Sequence, residues 1–235
     1  MSGQRQKNRP EQEVLAFPAE SRSDAPRAAE QGTETLMAKR KSESLAGTER
    51  LMEEVCELEN CKQALQRVKA NKGSPGVDGM TVDELPDYLK QYGPEIGEQL
   101  RNGTYQPQPV RRVEIPKPDG SGMRKLGIPC VLDRFVQQAV LQVLQRRWDS
   151  TFSEHSHGFR PGRSAKQAGH EAQQYIAEGY GWVVDLDLEK FFDRVNHDRR
   201  LAAVAKRVAD KRMFKLIRAF SGGGSDGGRV GESGG

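Results

Sequence analysis

The residues that could form a hydrophobic core are confined to the middle of this 235-residue chain, between residues 49 and 220. Residues 1–48 are rich in Glu, Gln, Arg, Ser, Ala and Pro and show no hydrophobic period, which predicts a disordered head. Residues 221–235 have glycine at eight of fifteen positions, which predicts a flexible tail. These two ends explain why only 35% of the chain is apolar, against about 45–50% in an average globular protein.

Hydrophobic periodicity within residues 49–220 predicts a mixed domain. Thr81 and Glu84 have the spacing of a capping box, which marks the start of a helix. The pattern predicts helices from Thr48 to about Ala70, from Thr81 to about Leu100, from Val131 onward, over residues 163–178 and over Arg199–Phe220, and strands at Val110–Ile115, Arg124–Ile128 and Gly181–Leu188. This order of elements predicts an α+β domain whose helices pack around a sheet.

Charge is distributed unevenly along the chain. Residues 1–100 carry 14 basic and 18 acidic side chains, whereas residues 101–220 carry 22 basic and 13 acidic ones, a net charge of +9. A basic segment in an otherwise mildly acidic chain indicates a polyanionic partner, and nucleic acid is the first candidate.

Several classes of protein are disfavoured by the sequence. No apolar run approaches the roughly 18 residues that a membrane span needs, and the first residues contain no apolar stretch typical of a signal peptide. Cys56, Cys61 and Cys130 are too few and too irregularly spaced for a disulfide framework or a zinc site. We therefore expect a reduced, cytoplasmic protein without a membrane partner.

The segment Gly158–Ser164, GFRPGRS, combines a turn with two arginines and an aromatic residue. Arginine side chains bind phosphates through two parallel hydrogen bonds, and aromatic rings stack on unpaired bases. Each of these cations taken singly is as well explained as a solvated surface charge, but basic residues also concentrate around the expected hairpin: Arg111, Arg112, Lys117, Arg124, Lys125 and Arg134. Together they favour nucleic-acid binding.

Two carboxylates lie on the segment expected to form the third strand. Alternation places Asp185 and Asp187 on one face of Gly181–Leu188 and apolar residues on the other. Such carboxylates can hold a hard divalent cation such as Mg²⁺. They can equally cap the next segment or pair with arginine and lysine, and the spacing alone leaves both interpretations open.

Four sequence runs resemble bacterial group II intron reverse transcriptases. They occur in the order typical of that family and cover about residues 50–220: NKGSPGVDGMTV (71–82), RRVEIPKPDGSGMRKLGIPCVLDRFVQQAVLQVL (111–144), SHGFRPGRSA (156–165) and VVDLDLEKFFDRVNHD (183–198). The resemblance implies an N-terminal extension over residues 49–108. It implies the fingers and the first part of the palm of a right-hand polymerase over residues 109–220.

The resemblance also implies roles for the palm residues. Asp187 matches the first catalytic aspartate, a ligand of both Mg²⁺ ions of the intact family, and the backbone carbonyl of Leu188 would be a further ligand. Phe192 matches the aromatic that lies under the sugar of the incoming nucleotide. Asp185 does not occupy a matching position.

The same resemblance implies contacts with nucleotide and template. Arg124, Lys125 and Arg134 lie in the motif that holds the triphosphate, although either Arg124 or Lys125 could make that contact. The template-contacting positions are Asn71, Lys72, Gly158, Phe159, Arg160, Pro161 and Arg163. The implied partners are an RNA template, intron RNA, a DNA primer and dNTPs.

The chain contains no Asp-Asp pair, which in this family supplies the remaining metal-binding carboxylates. Because two-metal catalysis needs several carboxylates, we expect that these 235 residues alone do not polymerise. Alternatives remain: an RNA-binding module without catalysis, or a remnant that does not fold because its half-built sheet has an open edge. A hydrolytic metal enzyme is a further alternative that lacks a second carboxylate cluster. We interpret the glycine-rich tail as an out-of-frame translation of GC-rich DNA.

Overall fold

A computed structural model describes residues 47–117, 120, 122–188 and 191–222, without the side chains of Phe192 and Asp193. The disordered head and the glycine-rich tail expected from the sequence therefore lie almost entirely outside the described residues. Within those residues, no helix is long and apolar enough to cross a membrane. The three cysteines are unpaired thiols.

The first expected helix is divided into two, α1 (Leu51–Val55) and α2 (Leu58–Asn71). Glu57 between them is extended, with ψ of 137°. The carbonyl of Val55, at the end of α1, accepts a hydrogen bond from the side-chain amide of Asn60 at 3.0 Å. The single helix predicted from Thr48 to Ala70 is therefore wrong, because a side chain of α2 satisfies the carbonyl that a continuous helix would use.

The second expected helix, α3, spans Leu85–Asn102. The backbone N–H and the hydroxyl of Thr81 both donate to Glu84, at 2.7 and 2.8 Å, but the N-cap is Glu84, so the prediction of Thr81 as the cap of this helix is wrong. Helical residues begin four positions after Thr81, which makes α3 shorter than predicted. The helix ends at Gly103, whose φ of 66° lies in the left-handed region that glycine adopts easily.

The expected hairpin is confirmed. Strands β1 (Arg111–Pro116) and β2 (Met123–Ile128) are antiparallel, with Arg111 opposite Ile128 and Pro116 opposite Met123. One face of the hairpin is partly buried and carries Val113, Leu126 and Ile128, while the other face is exposed.

Helix α4 (Val131–Trp148) is the centre of the structure. It packs along α2, and its buried side chains join those of α1, α3 and the C-terminal region in one hydrophobic cluster. The two-stranded sheet lies outside that cluster. The expectation of helices packed around a sheet is therefore wrong, because most of the buried apolar side chains of the described residues belong to helices.

The strand expected at Gly181–Leu188 is absent. These residues have no ladder partner among the described residues, in which β1 and β2 pair only with each other. Trp182 and Leu186 are 95% and 89% exposed. A β-strand needs a neighbour to hydrogen-bond with its backbone, so β-branched and alternating residues alone do not produce one. The placement of Asp185 and Asp187 on one strand face therefore has no support.

The remaining elements follow the sequence more closely. A 3₁₀ turn at Asp149–Thr151 extends α4, and α5 (Ala165–Ala177) begins after Ser164, whose hydroxyl accepts from the Gln167 N–H at 3.3 Å. A short α6 (Phe191–Arg194) comes next. The one or two helices expected over Arg199–Phe220 are two, α7 (His197–Ala205) and α8 (Lys211–Gly222).

One buried carboxylate joins the two ends of the described structure. Asp210 is 3% exposed and accepts hydrogen bonds from the Met52 N–H in α1 at 3.0 Å and from the Arg212 and Met213 N–H groups in α8 at 3.0 and 3.4 Å. The Arg212 side chain also donates to Asp210 and to Glu53. Burial alone would raise the pKa of Asp210, but the hydrogen bonds from Arg212 and from the Met52 N–H outweigh it and lower the pKa.

Replacing this carboxylate should destabilise the whole helical body. We expect Asp210→Ala to lower the free energy of unfolding by about 3 kcal/mol, because it removes the cap of two helices and leaves the Arg212 guanidinium without one of its partners. Urea unfolding followed by circular dichroism measures this. Asp83→Ala, at an exposed aspartate, is the matched control and should leave the unfolding midpoint nearly unchanged. Equal midpoints for the two variants would contradict the assignment.

Candidate nucleic-acid interface

The loop after the 3₁₀ turn is built around a buried arginine. The Arg160 side chain is 9% exposed, and its Nε donates to Asp149 Oδ1 at 2.9 Å. Its Nη1 donates to the carbonyls of Ser153 and Ser156, at 2.6 and 3.2 Å, and its Nη2 donates to the carbonyl and the carboxylate of Asp149. Hydrogen bonding by Arg160 lowers the pKa of Asp149. The guanidinium thus holds both ends of a short loop together.

This placement bears on the expected template contacts. The resemblance implies that Arg160 touches template, yet its nitrogen atoms are engaged with the protein and it also lies 5.7 Å from the centre of the Phe152 ring. A template-binding role for Arg160 stays a prediction. Its contacts give it a structural role that sequence reasoning missed, because its partner Asp149 lies eleven residues earlier and no local motif connects the two.

Phe159 is the residue that this loop presents to solvent. Its side chain is fully exposed, at 104% of the reference value, and its φ is 56°, in the left-handed region that non-glycine residues seldom occupy. The neighbouring Pro161 and Arg163 are also exposed. An exposed aromatic residue on a strained backbone is held by its surroundings rather than by its own preference. The loop therefore exposes an aromatic ring and a cation four residues apart in sequence.

A second cluster attaches the same loop to α5. Glu171 of α5 contacts the imidazoles of His155 and His157, the latter at 2.8 Å, and accepts a hydrogen bond from the Tyr175 hydroxyl at 2.9 Å. Hydrogen bonding by His157, His155 and Tyr175 lowers the pKa of Glu171 to about 2. Both histidines lie in the loop, and the sequence gave no signal for their shared partner on a helix.

The loop that follows α2 and contains Gly73 and Gly76 packs against the start of α4. Arg134 donates from Nη2 to the carbonyls of Gly73 and Ser74, at 3.3 and 2.8 Å. A Cβ at Gly76 would lie 2.6 Å from the Cys130 Cα, so this position needs glycine, whereas a Cβ at Gly73 would displace the end of the Arg134 side chain. The structure thus brings Arg134, expected at the triphosphate, together with Asn71 and Lys72, expected at the template.

The hairpin separates the two candidate triphosphate cations onto opposite faces. Lys125 lies on the exposed face, opposite Glu114, with 3.7 Å between its Nζ and Glu114 Oε1. Arg124 is opposite Ile115, on the face that carries the partly buried Val113. Of the two, only Lys125 has an acidic partner among the described residues, which favours Arg124 for the triphosphate contact.

Asp187 is exposed, and its contacts with the described residues are local. Its Oδ1 accepts a hydrogen bond from the N–H of Leu188 at 2.9 Å, and the Leu188 carbonyl accepts one from the N–H of Phe191 at 3.1 Å. The side chain of Phe192, expected under the nucleotide sugar, lies outside the described residues.

The donor set does not fit a pair of Mg²⁺ ions. No group of three or more His, Cys, Asp or Glu side chains able to hold a metal ion exists among the described residues. A single carboxylate and a carbonyl are too few oxygen ligands to clamp two such ions.

Comparison with known families identifies the class of this chain. Residues 115–233 match the family described as "Reverse transcriptase (RNA-dependent DNA polymerase)", a match that begins in β1 and extends beyond Phe220. The chain belongs to this reverse transcriptase family. Its mixture of helices with a hairpin fits the fingers and palm of such an enzyme.

Individual relatives place the chain among the proteins that group II introns encode. The chain is 37% identical to "Protein YkfC" of Escherichia coli (strain K12) over 175 residues, covering 72% of this chain and 46% of that protein. It is 34% identical to the "Group II intron-encoded protein LtrA" of Lactococcus lactis subsp. cremoris over 160 residues, covering 67% of this chain and 26% of LtrA. The chain therefore spans between about a quarter and just under half of the length of these relatives.

Among solved structures, the chain superposes on part of the "Partial Cas6-RT-Cas1--Cas2 complex" with a TM-score of 0.45 and 23% identity. The superposition covers 72% of this chain and 27% of that one. We base the fold on the helices and strands described above rather than on this likeness.

Removing the buried guanidinium should release the loop that carries Phe159. We expect Arg160→Ala to raise the hydrogen-exchange rates of the Ser156 and Arg163 amides at least about tenfold, because the contacts that close this loop are lost. Arg163→Ala removes an exposed arginine from the same loop and should leave the Ser156 amide rate unchanged. Unchanged exchange in Arg160→Ala would show that the guanidinium does not hold the loop.

Proposed function

We propose that this chain is the RNA-binding part of a group II intron-type RNA-directed DNA polymerase and comprises its fingers and the first part of its palm. The observation that carries the proposal is Phe159, which is fully exposed in a left-handed conformation on a loop closed by Arg160. Single-stranded RNA is bound mainly by stacking unpaired bases on such rings and by pairing phosphates with nearby cations. The exposed Arg163 supplies a cation on the same loop.

The charge of the chain supports RNA as the partner. Residues 101–220 carry a net charge of +9, and the hairpin and the loop that presents Phe159 both lie in this range. In the proposed complex, Asn71, Lys72 and the segment Gly158–Arg163 contact template or intron RNA. Arg124 contacts the triphosphate of an incoming dNTP at the end of a DNA primer, whereas Arg134, implied there by the resemblance, already donates to the carbonyls of Gly73 and Ser74. Asp187 is the catalytic carboxylate.

A second candidate function is RNA binding without polymerisation. The observation that favours it concerns Asp187, whose carboxylate, among the described residues, is hydrogen-bonded to the backbone of the next residue and to no other group. Because no Asp-Asp pair occurs in these 235 residues, the carboxylates that would complete a two-metal site are not supplied by this chain. Binding of RNA requires neither metal nor a second carboxylate.

Loss of the exposed ring should weaken RNA binding. We expect Phe159→Ala to bind a single-stranded RNA oligomer about tenfold more weakly than the unchanged chain, since stacking contributes about 1–3 kcal/mol per base. Affinity of the unchanged chain should fall steeply with salt, because phosphate contacts release counterions. Fluorescence anisotropy without Mg²⁺ measures both effects.

The matched control is Tyr92→Ala, which removes an exposed aromatic residue from α3 outside the proposed interface. It should bind RNA as the unchanged chain does. Equal affinities for Phe159→Ala and Tyr92→Ala would remove the loop from the interface. Absence of measurable RNA binding by the unchanged chain would overturn the proposed function.

Primer extension separates the two candidate functions. We expect the purified 235-residue chain, given Mg²⁺, dNTPs and an RNA template annealed to a DNA primer, to show no incorporation above a control without protein. Incorporation that disappears in Asp187→Asn would show instead that this chain polymerises and that Asp187 takes part. Incorporation that persists in Asp187→Asn would point to a contaminating polymerase.

A further inference from the structure

A groove lies where the C-terminal end of α2 meets the first half of α4. Its volume is about 240 Å³, below the roughly 300–1,000 Å³ of a pocket for a drug-sized ligand. The residues that line it are Val68, Asn71, Arg134, Gln137, Gln138 and Leu141. Only Asn71 and Arg134 have roles implied by the family resemblance, so the α4 side of the groove has no assigned function.

The chemistry of the lining is selective. Three of the six side chains are carboxamides, one is a guanidinium, two are aliphatic and none is acidic. The Asn71 and Gln137 amides make no hydrogen bond to any described residue, whereas Gln138 donates to Gln142 at 3.3 Å. Leu141 is 50% exposed, so the groove also offers apolar surface. Unused donors and acceptors beside an aliphatic surface suit a flat ligand with polar edges.

The walls of the groove are held by buried hydrogen bonds. Gln142 donates to the carbonyl and side-chain oxygen of Asn60, at 3.0 and 2.9 Å, and Asn60 donates to the Ala139 carbonyl at 3.1 Å. These bonds connect α2 directly to α4. At one end, Arg134 is fixed to the carbonyls of Gly73 and Ser74. The spacing of the two helices is therefore set before any ligand arrives.

We propose that this groove binds one unpaired base of a single-stranded RNA, with adenine preferred. A carboxamide pairs with the edge of adenine through two hydrogen bonds, one donated and one accepted, and the free amides of Asn71 and Gln137 offer both. The face of the base packs against Leu141. This proposal rests on the proposed RNA-binding function and places a base contact outside the loop that presents Phe159.

The charge of the groove argues for a base rather than a triphosphate. Arg134 is the only cation in the lining, and two of its hydrogen bonds already go to backbone carbonyls. A triphosphate is matched by several free cations, whereas a neutral base needs hydrogen-bonding groups and apolar surface. The absence of acidic residues from the lining lets the phosphates that flank the base approach without repulsion.

The test compares groove variants with matched controls on the full chain. Gln137→Ala and Leu141→Ala, made separately, remove a free amide and an exposed leucine. Gln66→Ala and Leu58→Ala remove the same residue types from exposed positions on α2 outside the groove. The probes are labelled oligoadenylate, oligouridylate and an abasic ribose-phosphate oligomer of equal length, with affinity measured by anisotropy and folding checked by circular dichroism.

We expect each groove variant to bind oligoadenylate about tenfold more weakly, to lose the preference over oligouridylate and to bind the abasic oligomer unchanged. The controls should match the unchanged chain with all three probes. Groove variants that bind oligoadenylate normally overturn this proposal and leave the proposed function standing. Equal weakening with the abasic oligomer also overturns it, because the loss would then concern the backbone. If the unchanged chain binds no RNA, both proposals fail.

Discussion

The carboxylate of Asp210 is the contact on which the helical body depends. It accepts backbone hydrogen bonds from Met52 at the start of the described chain and from Arg212 and Met213 near its end. The backbone of Asp210 also donates to the Thr48 carbonyl at 2.9 Å. One buried charge therefore begins two helices that are far apart in sequence. A buried carboxylate is costly unless hydrogen-bond donors satisfy it. The starts of α1 and α8 therefore depend on the same side chain.

The same principle operates in the loop that presents Phe159. The guanidinium of Arg160 and the carboxylate of Glu171 are each surrounded by partners from the loop and from the elements that flank it. Charged groups fixed in this way hold an irregular backbone that has few buried apolar contacts of its own. Phe159, the proposed binding residue, is thus exposed, while Arg160 and Glu171 are held in place by their hydrogen bonds.

The sequence predicted the elements whose patterns are local. Helix α4 and the β1–β2 hairpin follow from apolar periodicity and a turn-forming segment, and the family resemblance follows from the order of four runs. The break at Glu57 depends on the Asn60 side chain, and the roles of Asp149 and Glu171 depend on contacts eleven to sixteen residues away. Side-chain contacts across such separations leave no period in the sequence, so pattern reasoning could not find them.

The strand expected at Gly181–Leu188 is absent, and this affects how the segment that carries Asp187 is held in place. Its backbone has no ladder partner among the described residues, and Val183, Val184 and Leu186 are 84%, 79% and 89% exposed. A catalytic carboxylate must be held in place by its neighbours before it can position a metal ion. Within the part of the chain that the structure describes, Asp187 is held by the next N–H group alone. The groove between α2 and α4 is fixed by buried hydrogen bonds. The loop of Phe159 is closed by the partly buried or exposed hydrogen bonds of Arg160, and neither set involves Asp187.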